Sequence, residues 1–234
     1  MSKTVAAHLQ RFFTKWLLMI AAVLLVLQIG LITIKVIFGG ETSDVFTSAF
    51  DTFSVVMIIF GVITVYPYLN RLAFHGVTRK NYLKGTIEAA IKTTFFSLII
   101  ALVFLGLEYV AIKAFQLPFD EAFRLGGFGD NLLIASVGYY LSLLTTFFIG
   151  WAIGLSFYKL DWIGGTVAII LSMFLFGLLE YFWENEFLQI TINGISFDSF
   201  WESHLIVSLV GTLVMIIALF ALIRSLVRNI ALNL

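Results

Sequence analysis

Residues 16–38 read WLLMIAAVLLVLQIGLITIKVIF, an apolar run whose one charged residue is Lys35. A helix of about 20 apolar residues crosses the roughly 30 Å hydrocarbon core of a bilayer, so the run predicts a transmembrane helix. It is longer than the apolar region of a secretory signal peptide and lacks a small-x-small cleavage site. We therefore expect it to remain in the mature protein.

Further apolar runs of similar length follow, at about residues 49–69, 95–115, 132–155, 163–182 and 205–223. None alternates between apolar and polar residues as a barrel strand would. The chain is 61% hydrophobic and only 12% charged, about half the charged share of a soluble domain. These features exclude a single water-soluble globule. They predict an all-α polytopic membrane protein, with one transmembrane domain of six spans over residues 1–234.

The distribution of basic residues predicts the orientation of these spans. Six spans place both termini on one side, and that side would hold most of the 14 Lys and Arg residues. The other side receives only Lys35, Lys113 and Arg124, together with most of the acidic residues. Lys and Arg in short loops are retained on the cytoplasmic side, so we expect both termini in the cytoplasm. The membrane that we expect is the plasma membrane of a bacterium. The net charge of zero says nothing about nucleic acid. The partners that we expect are the lipid bilayer and other protein subunits, and not nucleic acid.

The N-terminal residues 1–15 form an amphipathic pattern ahead of the first span. Their apolar positions, at helical spacing, are Val5, Leu9, Phe12, Phe13 and Trp16. Cationic and polar residues fill the remaining arc, which predicts a helix lying in the membrane interface. The alternative is that this segment simply extends the first span into the cytoplasm.

Residues 66–85 read YPYLNRLAFHGVTRKNYLKG and form the longest and most basic cytoplasmic connection, within a region that we place at 70–92. Gly76 is suited to end one helix, and Thr78 to cap the next, which runs from Arg79 into the third span. We expect a projecting corner with exposed apolar groups beside cations, a composition that favours protein contact. An ordinary positive-inside loop is the alternative. The candidate contact residues are Phe74, His75, Gly76, Val77, Thr78, Arg79, Lys80 and Tyr82, with Phe74, His75, Val77 and Tyr82 expected to be exposed.

The outer segment at 183–203 contains FLQITINGISF at residues 187–197. Asn193-Gly194 lies between two alternating, β-branched stretches, which predicts a small extracellular β-hairpin. A re-entrant loop packed between helices remains the alternative.

Several charged or small residues lie inside the predicted spans. Helix arithmetic places Glu108 about 20 Å beyond Phe95, so it is the best candidate to line a polar cavity, neutralised by Lys113 or Lys35. An earlier helix start would carry it to the membrane surface. Gly150 and Gly154 form a Gly-x-x-x-Gly pair that lets helix backbones approach closely. Packing within the chain is the default interpretation, and a dimer seam is the alternative.

Several catalytic motifs are absent from the sequence. There is no phosphate-binding Gly-x-x-x-x-Gly-Lys-Ser/Thr loop, no His-Glu-x-x-His and no Gly-x-Ser-x-Gly. His8, His75 and His204 lie in separate segments, and cysteine is absent. We therefore expect no catalytic residue, no metal site and no cofactor bound by this chain itself.

The six spans, the basic N-terminal helix and the corner Phe74-His-Gly-Val-Thr-Arg-Lys80 together resemble a type-2 ATP-binding-cassette (ABC) exporter permease. The topology covers the whole chain, whereas the sequence likeness is confined to about residues 66–92. Within the family, the chain is similar to small Gram-positive permeases of peptide exporters, including those for phenol-soluble modulins. It departs from the family in the outer segment, where relatives often have short helices.

The resemblance implies that this chain forms part of the membrane pathway and that a separate subunit hydrolyses ATP. The corner from Phe74 to Tyr82 would be the coupling helix that docks on a separate ATPase, and residues 1–15 would be the connecting helix. Two ATPase subunits would supply ATP and Mg²⁺ chemistry to a pair of permeases, identical or related. The expected cargo is an amphipathic peptide or a lipid-like molecule moved outward. Two other classes stay open, namely a stand-alone secondary transporter or channel that uses Glu108, and a membrane scaffold or immunity protein.

Overall fold

A computed structural model describes residues 2–38, 45–66, 77–115, 131–183 and 205–228. These ranges contain five helices and no strand: α1 is Ser2–Phe38, α2 is Val45–Ile63, α3 is Arg79–Phe115, α4 is Leu132–Trp183 and α5 is Leu205–Arg228. Each helix is long and apolar enough to cross a membrane. For the described residues, the prediction of an all-α fold with helices long and apolar enough to span a membrane is therefore confirmed. The predicted hairpin at 187–197 lies outside the described residues.

The helix α4 accounts for the difference between five helices and the six predicted spans. Its 52 residues would extend about 78 Å if straight, more than twice the hydrocarbon thickness. The backbone leaves helical geometry at Asp161, with φ 57° and ψ −162°. The predicted spans 132–155 and 163–182 fall on either side of this residue. The helix therefore consists of two limbs, which we call the first limb (132–160) and the second limb (162–183).

The helix α1 runs without a break through the boundary predicted near Trp16. Val5, Leu9 and Phe13 are at most 2% exposed, because the face that they share packs against the chain itself, with α1 lying mainly along α3. This apolar stripe continues into Leu17, one turn beyond the boundary, and no helix-breaking residue separates the two parts. The alternative, in which the segment extends the first span, describes α1 better than a separate interfacial helix does.

The apolar side chains at the predicted boundary differ in exposure. Phe12 is partly buried against the core, whereas Trp16 is 44% exposed. Trp16 therefore lies on the outer face of α1, and the buried stripe passes beside it.

The described ends of α2 and α3 lie at the predicted corner. The helix α2 begins at Val45, earlier than predicted, and ends at Ile63, where Val65 N–H donates to the Val62 carbonyl at 3.1 Å in a tighter turn. The helix α3 begins at Arg79, and Asn81 N–H donates to the Thr78 hydroxyl at 3.4 Å. The predicted cap at Thr78 and the continuous run into the third span are both confirmed.

The helix α4 contacts α2, α3 and α5, and its first limb packs on α2 and α3. Its Gly150 packs on the α2 backbone, because a Cβ added there would lie 2.8 Å from the Ile58 Cα. A Cβ on Gly154 would lie 3.2 Å from the Val62 Cα. The Gly-x-x-x-Gly pair therefore serves helix packing within the chain, as the default interpretation predicts. The reciprocal Gly61 of α2 faces the Trp151 backbone nitrogen.

The second limb of α4 is joined to α5 by buried hydrogen bonds. Trp183 Nε1 donates to the Thr212 hydroxyl at 3.0 Å, and the Ser208 hydroxyl donates to the Phe182 carbonyl. Hydroxyl and indole groups of this kind hold helices together in a lipid environment, where water does not compete. The far ends of the two limbs thus have different neighbours, α2 for the first and α5 for the second.

Candidate functional site

The described part of the predicted corner is held by Tyr82, three residues after the start of α3. The Tyr82 hydroxyl donates to the Thr64 carbonyl at 2.9 Å and accepts from Trp151 Nε1 at 3.2 Å. The rings of Tyr82 and Trp151 meet edge to face, with centroids 6.0 Å apart. These contacts join the end of α2, the start of α3 and the first limb of α4 at one buried point.

The prediction that Tyr82 is exposed is wrong, since its side chain is 2% exposed. The sequence predicted a helix from Arg79 that projects from the membrane with Tyr82 exposed, whereas α3 presents the face that carries Tyr82 to the bundle. Tyr82 shares that face with the buried Thr86 and Thr93, which lie at helical spacing along α3. The aromatic ring therefore anchors the corner from inside.

The remaining corner residues divide between the bundle and the surroundings. Val77 is partly buried against the core, although exposure was expected, whereas Thr78, Arg79 and Lys80 are exposed. Phe74, His75 and Gly76 lie outside the described residues. The described surface of the corner is consequently cationic, with its apolar groups turned inward.

Arg79 makes a contact within the chain that the sequence did not reveal. Its Nη1 donates to the Arg228 carbonyl at 2.9 Å. Arg228 is the last residue of α5, so this carbonyl has no partner within its own helix and lies at the negative end of the helix dipole. Arg79 thus satisfies the end of α5 and connects it to the start of α3.

An open groove with a volume of about 570 Å³ lies between the start of α3 and the end of α5. We call it the basic groove, and its lining residues are Arg79, Lys80, Leu83, Phe220, Arg224, Val227 and Arg228. Four cations surround an apolar floor, and none of these lining residues is acidic. The i, i+4 spacing of Arg224 and Arg228 places both on one helix face, a signal that was available but was interpreted only as positive-inside charge.

Glu108 lies on α3 about two helical turns before Phe115 and is partly buried. The nearby Lys113 ammonium is 4.6 Å from the Tyr109 ring centroid, within cation–π range. Glu108 does not line the basic groove. Its proposed place in a polar cavity stays a prediction. In the part of the chain that the structure describes, no group of three His, Asp or Glu residues is arranged to hold a metal ion.

Comparisons with protein families, with curated proteins and with solved structures find no match to this chain.

Proposed function

We propose that the chain is the permease subunit of an ATP-driven ABC exporter that moves an amphipathic peptide or lipid-like substrate out of the cell. The observation that carries the proposal is the Tyr82 anchor, which joins α2, α3 and α4 directly behind the corner. In the assembly that we propose, two ATPase subunits bind ATP and Mg²⁺, and a second permease, identical or related, completes the pathway.

The hydrogen bonds of Tyr82 connect the corner rigidly to the helices of the bundle. A partner bound at residues 70–80 would act on a helix that is capped at Thr78 and fixed by Tyr82 one turn later. A displacement there would move the end of α2, the start of α3 and the first limb of α4 together. Closure of the ATPases on nucleotide would then favour one arrangement of the spans over another, which is linkage between binding and conformation.

A six-span arrangement with both termini in the cytoplasm of a bacterium suits this role. In our proposal each limb of α4 crosses once and the chain reverses at Asp161. This is supported by the excess length of α4 and by the close approach across the bend, where Gly165 meets the Phe157 ring. Reversal at Asp161 also brings Lys159 to the same side as Lys3 and Arg228, in agreement with the distribution of basic residues.

The proposal is tested by affinity purification of the full chain from its native membranes, with recovery of an ABC ATPase as the measurement. We expect Phe74→Ala combined with Lys80→Glu to reduce ATPase recovery at least tenfold, because an aromatic contact and a charge on the corner are both lost. Arg79 is left intact because it supports α5. Lys113→Glu, on the same helix but near its other end, is the matched control and should retain the ATPase.

Two results would contradict the proposed function. One is undiminished ATPase recovery by the corner variant, or no ATPase bound to the wild-type chain. The other is substrate flux in ATP-free vesicles that Glu108→Gln abolishes, since that result belongs to an ion-coupled secondary transporter.

A further inference from the structure

The described residues that line the basic groove concentrate positive charge and include no carboxylate. Arg79, Lys80, Arg224 and Arg228 all line it, and their mutual repulsion favours the binding of an anion. Along α3 the next acidic residue is Glu88, about 12 Å beyond Lys80, and its carboxylate is 2.7 Å from Lys92. The hydrogen bond from Arg79 to the Arg228 carbonyl orients a guanidinium but leaves its charge in place.

The floor of the groove has a different chemistry from its rim. Leu83, Phe220 and Val227 give it an apolar surface between the two helices. A free phosphate would satisfy the cations and leave this surface uncovered. A ligand that matches both parts carries a fixed negative charge on one end and a hydrocarbon chain on the other.

The groove also lies at a suitable depth for such a ligand. The apolar stretch of α5 ends at Arg224, so Arg224 and Arg228 lie at the end of a helix that is long enough to span a membrane. Arg79 is held at this level by its hydrogen bond to the Arg228 carbonyl, although Lys84, Glu88 and Lys92 precede the apolar stretch of its own helix, α3. Lys and Arg at span ends lie at the level of the lipid headgroups. Basic pockets between helices at this level attract anionic headgroups.

We propose that the basic groove is a binding site for an anionic phospholipid. The lipid phosphate lies among the four cations, and an acyl chain covers Leu83, Phe220 and Val227. Because α3 supplies one side of the groove and α5 the other, the bound lipid stabilises the same junction as the hydrogen bond from Arg79 to Arg228. This site shares Arg79 and Lys80 with the corner to which the proposed function assigns ATPase binding, but lipid binding itself requires no ATPase and is measured separately.

The test uses the full chain purified in a zwitterionic detergent and titrated with phosphatidylglycerol or with phosphatidylcholine of the same acyl chains. Thermal unfolding is followed by tryptophan fluorescence, and retained lipid by native mass spectrometry. We expect phosphatidylglycerol to raise the unfolding midpoint and phosphatidylcholine to leave it unchanged. Arg224→Gln with Arg228→Gln should weaken phosphatidylglycerol binding about tenfold or more, because each cation near a membrane surface contributes to anion binding.

Two control variants keep the result interpretable. Arg224→Lys with Arg228→Lys preserves the charge and should retain most of the lipid effect. Lys3→Gln with Arg11→Gln removes two exposed cations of α1 that do not line the groove, and it should bind phosphatidylglycerol as the wild type does. Should the double glutamine variant unfold, Arg224→Gln alone gives the same comparison, since Arg224 is exposed near the end of α5.

Three outcomes would overturn the lipid site. They are equal stabilisation by phosphatidylcholine, equal stabilisation by inorganic phosphate, and unchanged phosphatidylglycerol binding after the glutamine substitutions. Displacement of bound phosphatidylglycerol by an added ATPase subunit would also count against it, because the groove would then be a protein-docking surface. A failure of this kind leaves the corner test of the proposed function unaffected.

Discussion

The Tyr82 hydroxyl both donates and accepts a hydrogen bond inside the bundle. Its two partners, the Thr64 carbonyl and Trp151 Nε1, belong to different parts of the chain. Thr64 lies in the turn that ends α2, where its carbonyl has left the regular helical ladder. One hydroxyl therefore satisfies a helix end and an indole N–H that would otherwise be buried without partners.

We expect Tyr82→Phe to lower the free energy of unfolding by about 1–3 kcal/mol, because the ring remains while Trp151 Nε1 and the Thr64 carbonyl lose their partner. The measurement is the unfolding midpoint in detergent, followed by tryptophan fluorescence. Tyr66→Phe is the matched control, since Tyr66 is 50% exposed and close to the same turn. An equal loss in both variants, or none in Tyr82→Phe, would contradict the anchor.

At the scale of elements, the contact between α2 and the first limb of α4 depends on glycine. Gly61 and Gly150 face the opposite helix backbone, so neither position has room for a side chain. Close approach gains van der Waals contact, which is the main source of helix association where apolar side chains gain little by leaving lipid. The surrounding aromatic side chains complete this packing, with Phe13 stacked on Phe60 at a centroid distance of 4.4 Å.

We expect Gly150→Ala to destabilise the fold by about 1–3 kcal/mol, because the added methyl group would lie 2.8 Å from the Ile58 Cα and must push α2 away. Gly106→Ala is the control, since a Cβ there meets nothing within 4 Å. Alanine favours the helix, so the control should be neutral or more stable by up to about 1 kcal/mol. Thermal unfolding of both variants checks the difference, and equal midpoints would be inconsistent with the glycine contact.

Features that depend on local chemistry could be predicted from the sequence. Apolar runs locate the helices, because a helix needs a fixed length to cross hydrocarbon. The cap at Thr78 was predictable because it needs only a hydroxyl next to the first helical amides. The continuity of α1 through Trp16 could not be predicted, because an amphipathic segment has the same local pattern whether it lies in the membrane interface or continues into the bundle.

Features that depend on which helices meet could not be predicted in the same way. The inward orientation of Tyr82 follows from the packing of α3 against α2 and α4. Arg224 and Arg228 are separated from Arg79 and Lys80 by most of the sequence, and only the meeting of α3 and α5 makes them one groove. Helical spacing places Arg224 and Arg228 on the same face of α5, but it gives no information about the residues of α3 that form the other side of the groove.

At the scale of the whole molecule, the reversal proposed at Asp161 determines which ends of the helices share a side. If α4 crosses twice, Asn131 and Leu205 lie on the outer side, whereas Lys3, Lys159 and Arg228 lie in the cytoplasm. If α4 crosses once, the residues at its two ends lie on opposite sides of the membrane. The chain contains no cysteine, so a single introduced thiol reports each position separately.

We expect Asn131→Cys and Leu205→Cys to react with a membrane-impermeant maleimide in intact cells, because two crossings return the end of α4 to the outer side. Lys3→Cys, Lys159→Cys and Arg228→Cys should react only after permeabilisation, and the cysteine-free wild type is the background control. Labelling of Leu205→Cys only in permeabilised cells, with Asn131→Cys still labelled in intact ones, would mean that α4 crosses once. Arg228 would then face outward and could not accept a hydrogen bond from Arg79 at a cytoplasmic corner, so this result would also contradict the basic groove.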